Sequence, residues 1–280
     1  MKISAEVLNN SNLTCNTEFR ELLEFNHIRS FSDLWKQDGE AVKKKLAERA
    51  TERVILKTPD GGTVETYIKR YLPLPAKEYF KAITSFRPFF PSGALHEWEA
   101  ILAFHEAGIE TMIPIAVAAD ENARSALLTL GIQDYRRASD IFAEYAENRT
   151  VENCALRRKL IYKIAELAGK MHASHFAHQD FYLVHLFVKD DFRVLPIDLQ
   201  RIIMGSRFTK RWRVKDLGQL LYSSMKYNIS KTDCMRFWKT YTEIAGKELF
   251  RDRSVIRAVI RKADAIYSRS VRKKKKAGRK

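Results

Sequence analysis

The most informative part of this sequence is His178-Gln-Asp-Phe-Tyr-Leu-Val-His185, followed by Leu195-Pro-Ile-Asp-Leu-Gln-Arg201. Asp180 lies in a His-x-Asp triplet, and Asp198 follows it after eighteen residues, at the end of an apolar run. Kinases combine a loop of the form H-R-D-x-x-x-x-N, whose Asp accepts the proton of the substrate hydroxyl, with a later Asp that holds a metal ion. The spacing therefore predicts phosphoryl transfer, with Asp180 as base and Asp198 as Mg²⁺ ligand.

The sequence departs from that kinase pattern at three places. Gln179 replaces the Arg of the loop, and His185 stands where the pattern has Asn. The second Asp begins Asp-Leu-Gln where kinases have D-F-G. His178 keeps the His position, so the loop from His178 to His185 remains the candidate catalytic segment.

A kinase also needs a cation that holds the nucleotide phosphates, because phosphoryl transfer depends on positioning and charge neutralisation. Lys69, in the β-prone run Tyr67-Ile-Lys-Arg70, is the candidate. Its partner would be a Glu on the following helix, either Glu97 or Glu99, and two residues so spaced cannot share a helix face. We favour Glu97. The binding of ATP follows from this pair as an expectation.

The elements around these residues predict an α+β, protein-kinase-like, two-lobed fold. Strands are expected at 53–57, 63–71, 111–119 and 125–130, with a hairpin turn at 58–62 and helices within 33–49 and at 94–107. A helix at 157–175, short strands at 186–188 and 194–197, and helices from 215 onward follow. The order gives an N-terminal extension (1–45), a small lobe with an antiparallel sheet and one helix (46–131), a larger mainly helical lobe (132–270) and a basic, disordered tail (271–280).

Composition indicates which partners the protein could bind and in which cellular compartment it works. The 280 residues carry a formal charge of +16, which favours an anionic partner: nucleic acid, an acidic membrane surface or a phosphorylated substrate. Cys15, Cys154 and Cys234 are isolated in the sequence, which argues against a disulfide framework or a zinc site and indicates a reducing compartment. The sequence contains no signal-peptide pattern and no apolar run of about 20 residues, so a cytoplasmic location is expected.

Several motifs resemble the lipopolysaccharide kinase (WaaP/InaA-like) family, whose members phosphorylate sugars of the lipopolysaccharide core. The loop from His178 to Phe187 resembles the family's H-R-D-x-Y-x-x-H-x-x, so His185 is a family feature. Further similarities, which extend the resemblance over roughly residues 45–245, lie in Tyr67-Ile-Lys69, Glu97-Trp-Glu-Ala-Ile101, Glu106-Ala-Gly-Ile-Glu-Thr111, Ile197-Asp-Leu-Gln-Arg201 and Arg211-Trp-Arg-Val-Lys-Asp-Leu217.

The resemblance implies a kinase of a heptose or Kdo sugar of the lipopolysaccharide inner core, with ATP and Mg²⁺ as cofactors. It implies that His178 and His185 belong with Asp180 to the catalytic loop, and that His185 assists either the metal or the loop. Asp216 would be a buried acid that ties this loop to a helix, or alternatively a helix N-cap. The remaining implied positions are the hinge residues Thr129 and Leu130 near adenine, and the acceptor-binding residues Arg201, Arg207 and Arg211.

The expected partners are a lipid A-core acceptor and the anionic inner face of the inner membrane, where the enzyme would be peripheral. Two other hypotheses stay open: a kinase of another small-molecule, glycan or protein acceptor, and a non-catalytic basic binding module. Nucleic acid is disfavoured as a partner because the sequence has no helix-turn-helix, zinc-finger or RNP pattern. The Lys-rich tail fits an anionic leaflet, nucleic acid or a role in solubility.

Overall fold

The computed structural model describes residues 2–8, 12–42, 49–73 and 93–277. The chain divides into two compact units. The first comprises Met1–Gln133 together with Leu199–Arg201, and the second comprises Asp134–Asp198 together with Ile202–Lys280. The class is α+β, with each unit built on its own antiparallel sheet.

A seven-stranded antiparallel sheet forms the first unit, in the order β1-β2-β6-β7-β5-β4-β3. Its strands are β1 (Ala5–Val7), β2 (Leu13–Asn16), β3 (Glu40–Ala41), β4 (Arg49–Lys57), β5 (Thr63–Tyr71), β6 (Pro114–Ala119) and β7 (Ser125–Leu130). The predicted hairpin of β4 and β5 is confirmed, with Lys57 paired to Thr63 across the turn. Gly61 has φ +88° in that turn, a left-handed conformation that glycine adopts at little cost.

The segment expected to be an N-terminal extension supplies β1, β2 and β3 to this sheet. Two short helices, α1 (Arg20–Phe25) and α2 (Phe31–Trp35), also belong to it. Their apolar side chains join the buried core of the unit, which includes Leu22, Leu23, Ile28, Phe31, Leu34, Ile68, Ile115 and Leu128. Strands of two to four residues carry too little alternation to be recognised in a sequence.

The short helix expected within 33–49 falls only in part on the described residues. α2 begins after Ser30, whose hydroxyl accepts from the Asp33 amide, and it ends at Trp35. Gly39 then passes close to β4, because a Cβ on it would lie 2.9 Å from the Arg53 carbonyl oxygen. Residues 43–48 of the predicted helix lie outside the described residues.

One long helix, α3 (Ala94–Glu106), lies between β5 and β6 and confirms the helix predicted at 94–107. Its apolar face is buried through Trp98, Ile101 and Phe104. Glu97 lies in its first turn, where the positive end of the helix dipole favours a carboxylate.

The second unit is mainly helical around a three-stranded sheet in the order β10-β9-β8. Its strands are β8 (Tyr135–Arg137), β9 (Leu186–Lys189) and β10 (Val194–Pro196). Its helices are α4 (Ala138–Glu147), α5 (Val151–Ala173), α6 (Lys210–Ser224), α7 (Lys231–Ala245) and α8 (Arg253–Ala277). The predicted helix at 157–175 and the two short strands after the catalytic loop are thus confirmed.

The expectation of a disordered tail at 271–280 is wrong for residues 271–277, which complete α8. Lys and Arg are good helix formers, and their charges interact favourably with the negative C-terminal end of the helix dipole. Within the described parts of the chain, no helix combines the length and the apolar character that crossing a membrane requires.

Candidate active site

A buried carboxylate organises the candidate nucleotide-binding residues of the first unit. Lys69 on β5 places its Nζ 2.5 Å from Glu97 Oε1. Tyr71, two residues along the same face of β5, donates from its hydroxyl to Glu97 Oε2 at 2.5 Å, and the Leu199 amide donates to Oε1 at 3.1 Å. Glu97 is fully buried whereas Glu99 is exposed, so the structure places the first of the two sequence candidates against Lys69.

The hinge positions expected to meet adenine are engaged in the sheet. Thr129 is buried, and its hydroxyl donates to the Tyr67 carbonyl oxygen at 3.4 Å. The amide of Leu130 donates to the Ile113 carbonyl oxygen at 2.9 Å, and the amide of Gly131 donates to Glu65 at 2.8 Å. An adenine ring could not use these two amides without displacing a contact of the sheet.

The candidate base Asp180 lies in the loop between α5 and β9 and is partly exposed. Its amide donates to His178 Nδ1 at 3.3 Å, and His178 Nε2 lies 3.0 Å from the Ile197 carbonyl oxygen. A neutral ring protonated on Nε2 satisfies both contacts, and burial lowers the pKa of His178, which favours the neutral form. The sequence grouped His178 with the catalytic residues, but its contacts are those of a residue that positions Asp180.

His185 holds the same loop from the other side. Its Nδ1 lies 2.7 Å from the Asp180 carbonyl oxygen, and its ring stacks on His178 with centroids 6.2 Å apart. An Nδ1–H donor fits this contact and puts the lone pair of the ring on Nε2. Nothing in the described residues forms a group of three or more His, Cys, Asp or Glu side chains that could hold a metal ion.

Asp216 on α6 is the central anchor of the loop. Fully buried, it accepts the His178 amide on Oδ2 at 2.7 Å and the Gln179 amide on Oδ1 at 2.8 Å. Gln179 has φ +64°, a left-handed conformation that costs a non-glycine residue about 1–3 kcal/mol. The expected tie between the loop and a helix is present, and the N-cap alternative is excluded because Asp216 lies inside α6.

His172 supports Asp216 from within the core. Its Nε2 lies 3.3 Å from Asp216 Oδ2, and its Nδ1 lies 2.9 Å from the hydroxyl of Tyr241. Both rings are completely buried. Burial lowers the pKa of His172, so a neutral imidazole that donates to Asp216 and accepts from Tyr241 fits the geometry.

A second residue of α6, Gln219, contacts the backbone on both sides of Asp180. It was not predicted from the sequence as a site residue. Its Oε1 accepts the Phe181 amide at 3.1 Å, and its Nε2 donates to the Gln179 carbonyl oxygen at 2.7 Å. The residues on both sides of Asp180 are therefore held by one side chain. The signal that could have found it is its spacing of three residues from Asp216, which puts both on one face of α6.

Asp198 follows β10 with φ +66° and is partly exposed. The residue before it, Ile197, donates its amide to the His185 carbonyl oxygen at 2.9 Å. Backbone conformations of this kind cluster at functional sites, where the surrounding structure maintains the strain. Burial has the largest effect on the pKa of His178 and lowers it, whereas the nearby carboxylates of Asp198 and Asp180 both act to raise it.

Comparisons with known proteins identify the family of this chain. The sequence model of the "Lipopolysaccharide kinase (Kdo/WaaP) family" matches residues 32–241, about three quarters of the chain. The chain belongs to this family. It is therefore a phosphotransferase with an alcohol group as acceptor, and its fold is the two-lobed protein-kinase-like fold.

Individual relatives support the family assignment. The chain is 31% identical over 202 residues to "Lipopolysaccharide core heptose(I) kinase WaaP" of Pseudomonas aeruginosa, covering 64% of this chain and 71% of that protein. It is 28% identical over 262 residues to the Escherichia coli protein of the same name, covering 87% and 97%. A solved structure described as "WaaP in complex with acyl carrier protein" superposes with TM-score 0.71 at 25% identity, covering 91% of this chain and 99% of that one.

The arginines that the family resemblance assigned to the acceptor are exposed. These are Arg201, Arg207 at the end of a 3-10 turn, and Arg211 in the first turn of α6. Two nearby cations have other contacts: Lys210 reaches Asp252 at 3.2 Å, and Lys215 donates to Gln179 Oε1 at 3.0 Å. Lys210 and Lys215 therefore each contact a neighbouring segment of the second unit.

Proposed function

We propose that this chain is an ATP-dependent kinase that phosphorylates a heptose hydroxyl of the lipopolysaccharide inner core. The observation that carries the proposal is the support of Asp180, whose flanking residues are fixed by Asp216 and Gln219. The names of the relatives supply the acceptor, since the matched proteins of Pseudomonas aeruginosa and Escherichia coli are called heptose(I) kinases. Kdo remains the other inner-core sugar that the assay must include.

In this proposal Asp180 accepts the proton of the acceptor hydroxyl while that oxygen attacks the γ-phosphorus of ATP. The new oxygen–phosphorus bond forms as the bond to the ADP oxygen breaks, and the proton stays on the Asp180 carboxylate until solvent removes it. Lys69, held by Glu97, neutralises charge on the nucleotide phosphates. His178 and His185 keep the Asp180 backbone in place and take no part in the proton transfer.

The residues present fit a magnesium nucleotide in part. Asp198 offers carboxylate oxygens, the ligands that Mg²⁺ prefers, and the remaining ligands would come from phosphates and water. When bound, Mg²⁺ would neutralise charge on the transferred phosphoryl group. His185 is a poorer ligand because imidazole suits softer metals, so we assign it the positioning of Asp180. Lys69, with 11% of its side chain exposed, fits a cation that reaches a bound phosphate.

The test is phosphate transfer from ATP to purified lipopolysaccharide core. A core that contains Kdo but no heptose serves as the second acceptor and separates the two sugars. Asp180→Ala and Asp198→Ala should each lower kcat by about 10²–10⁴-fold. Asp190→Ala is the matched control, because Asp190 is an exposed carboxylate in the turn between β9 and β10. Full activity in both site variants would refute the roles assigned, and transfer only to a different acceptor would refute the substrate.

Two partners accompany this proposal. An enzyme that acts on a lipid-linked sugar works at the cytoplasmic face of the inner membrane, and the charge of +16 favours its anionic lipids. The solved relative is described in complex with acyl carrier protein, so we propose that carrier as a second partner. Co-purification with a tagged acyl carrier protein tests this, and failure to associate would leave the kinase proposal unaffected.

A further inference from the structure

The C-terminal helix α8 has one face that the second unit covers. Val255 and Ala263 are completely buried. Lys262 lies close to α6, since a Cβ added to Gly218 would come within 2.5 Å of its Cγ. The helix start is fixed by Lys210, whose Nζ contacts Asp252 at 3.2 Å and Ser254 at 2.9 Å. α8 is therefore a docked element whose remaining surface faces outward.

Beside the buried face, α8 exposes an apolar stripe. Ile260 is 47% exposed and Tyr267 is 56% exposed, with Ile256 and Val271 partly exposed at the same side. At 100° per residue these four positions fall within an arc of about 60°. Exposed apolar residues arranged in a row on one helix indicate a binding surface more strongly than scattered ones do.

The charge on the outward surface is almost entirely positive. Residues 253–277 contain ten Lys and Arg and a single acidic residue, Asp264. Arg257, Arg261, Arg272 and Lys275 are exposed, and they follow the apolar stripe around the helix. A helix with an apolar stripe and a Lys/Arg-rich polar face is the type that lies in the interface of an anionic bilayer.

We propose that α8 is the membrane-docking surface of this protein, with the Ile256–Val271 stripe in the acyl boundary and the basic face against anionic phospholipid headgroups. The inference rests on the proposed function, because a kinase of a lipid-linked sugar must act beside a bilayer. The positive charge of α8 is complementary to the negative charge of these headgroups. The exposed Ile and Tyr select a bilayer over nucleic acid, since phosphate contacts alone require no apolar row.

Vesicle co-sedimentation tests the surface without any need for activity. The probes are phosphatidylcholine vesicles with about one third phosphatidylglycerol, and vesicles of phosphatidylcholine alone. Arg257→Gln/Arg261→Gln should lower partitioning onto the anionic vesicles about 25-fold, since one charge near such a surface contributes about fivefold. Ile260→Ser/Tyr267→Ser should lower it about tenfold or more, and this loss should persist at high salt.

The matched control is Arg158→Gln/Lys170→Gln, which removes the same charge from exposed positions of α5 in the same unit. Its partitioning should change less than about threefold. An equal loss in this control would overturn the proposal, because net charge and not α8 would then drive binding. Unchanged vesicle binding in the Arg257/Arg261 variant, with loss of binding to acyl carrier protein, would assign the surface to a protein partner and also overturn it.

Transfer assays separate this inference from the proposed function. With a water-soluble core oligosaccharide as acceptor, the α8 variants should retain wild-type rates, whereas transfer to core in vesicles should fall with partitioning. A wild-type chain that binds anionic vesicles through α8 but phosphorylates no core sugar would refute the proposed function and leave the docking surface standing. Equal transfer to both acceptors by the wild type and the variants would overturn the docking role.

Discussion

The candidate site residues are held in two different ways in the two units. In the first unit, one buried carboxylate, Glu97, binds another side chain of opposite charge, Lys69. In the second unit, the buried carboxylate Asp216 binds backbone amides, those of His178 and Gln179. One anchor fixes where a positive charge lies, and the other fixes the path of the chain around Asp180.

Because the two acids hold different groups, substitutions of Glu97 and Asp216 should have different effects. Loss of Glu97 removes the carboxylate beside the nearly buried Lys69 ammonium, so we expect lower stability and, under the proposed function, weaker binding of nucleotide phosphates. Loss of Asp216 removes the acceptor of the His178 and Gln179 amides and of the His172 ring, and we expect it to release Gln179 from its left-handed conformation.

The largest expected effect is on Asp216. Asp216→Ala removes two charge-assisted hydrogen bonds from a fully buried position, so the free energy of unfolding should fall by about 3–5 kcal/mol. Urea unfolding measures it. Asp264→Ala, an exposed acid of α8, is the control and should change stability by less than about 0.5 kcal/mol. A loss below about 1 kcal/mol for Asp216→Ala would show that the loop is not anchored by this acid.

The Lys69–Glu97 pair should show direct coupling. A double-mutant cycle of Lys69→Met and Glu97→Gln should give an interaction energy of about 1–3 kcal/mol in urea unfolding. Lys69→Met should also weaken nucleotide binding by tenfold or more, because a phosphate contact is lost while Glu97 keeps Tyr71 and Leu199 as donors. Additive single effects in the cycle would remove the distinction between the two anchors.

A smaller effect is expected at Gln219, which acts on the loop without touching the Asp180 side chain in the contacts described. Gln219→Leu should lower kcat about tenfold and leave KM for ATP unchanged, because it releases the backbone on both sides of the base. Tyr182→Phe removes the hydroxyl that lies 3.2 Å from Gln219 Nε2 and leaves both backbone contacts of Gln219 in place, so it should be nearly neutral. If Gln219→Leu lowers stability and leaves kcat unchanged, Gln219 has a purely structural role.

Some residues of the candidate site could be predicted from the sequence, and others could not. Lys69, Glu97 and Asp180 could be identified because kinase chemistry requires each residue type on a particular element in a fixed order. Gln219 and His172 could not, because a neutral amide or a core histidine on a helix has no chemistry that a pattern reveals. Their roles depend on which backbone groups the fold brings near, and only the packed structure supplies that information.

The same limit explains the errors in the fold. The long β4–β5 hairpin and α5 carry enough periodicity to be predicted, whereas β1 and β2 have three and four residues. Tertiary contact decides short elements: β2 forms because β6 offers it an edge. The basic end of α8 illustrates the opposite case, in which charge suggested disorder while helix propensity and the docked start of the helix favoured order.

The smallest expected effect is a pH dependence that belongs to the second anchor. Burial lowers the pKa of His172 and of His178, so the unfolded chain binds protons more readily than the folded one. Their contribution to stability is complete above about pH 6.5 and is lost as the pH falls toward the folded-state pKa values. His105 in the first unit, whose pKa burial also lowers, adds the same sign, so a variant must isolate the loop. His178→Gln should flatten the decline of the urea midpoint between about pH 7.5 and 5.5 relative to wild type, and an unchanged slope would place the pH dependence outside the loop.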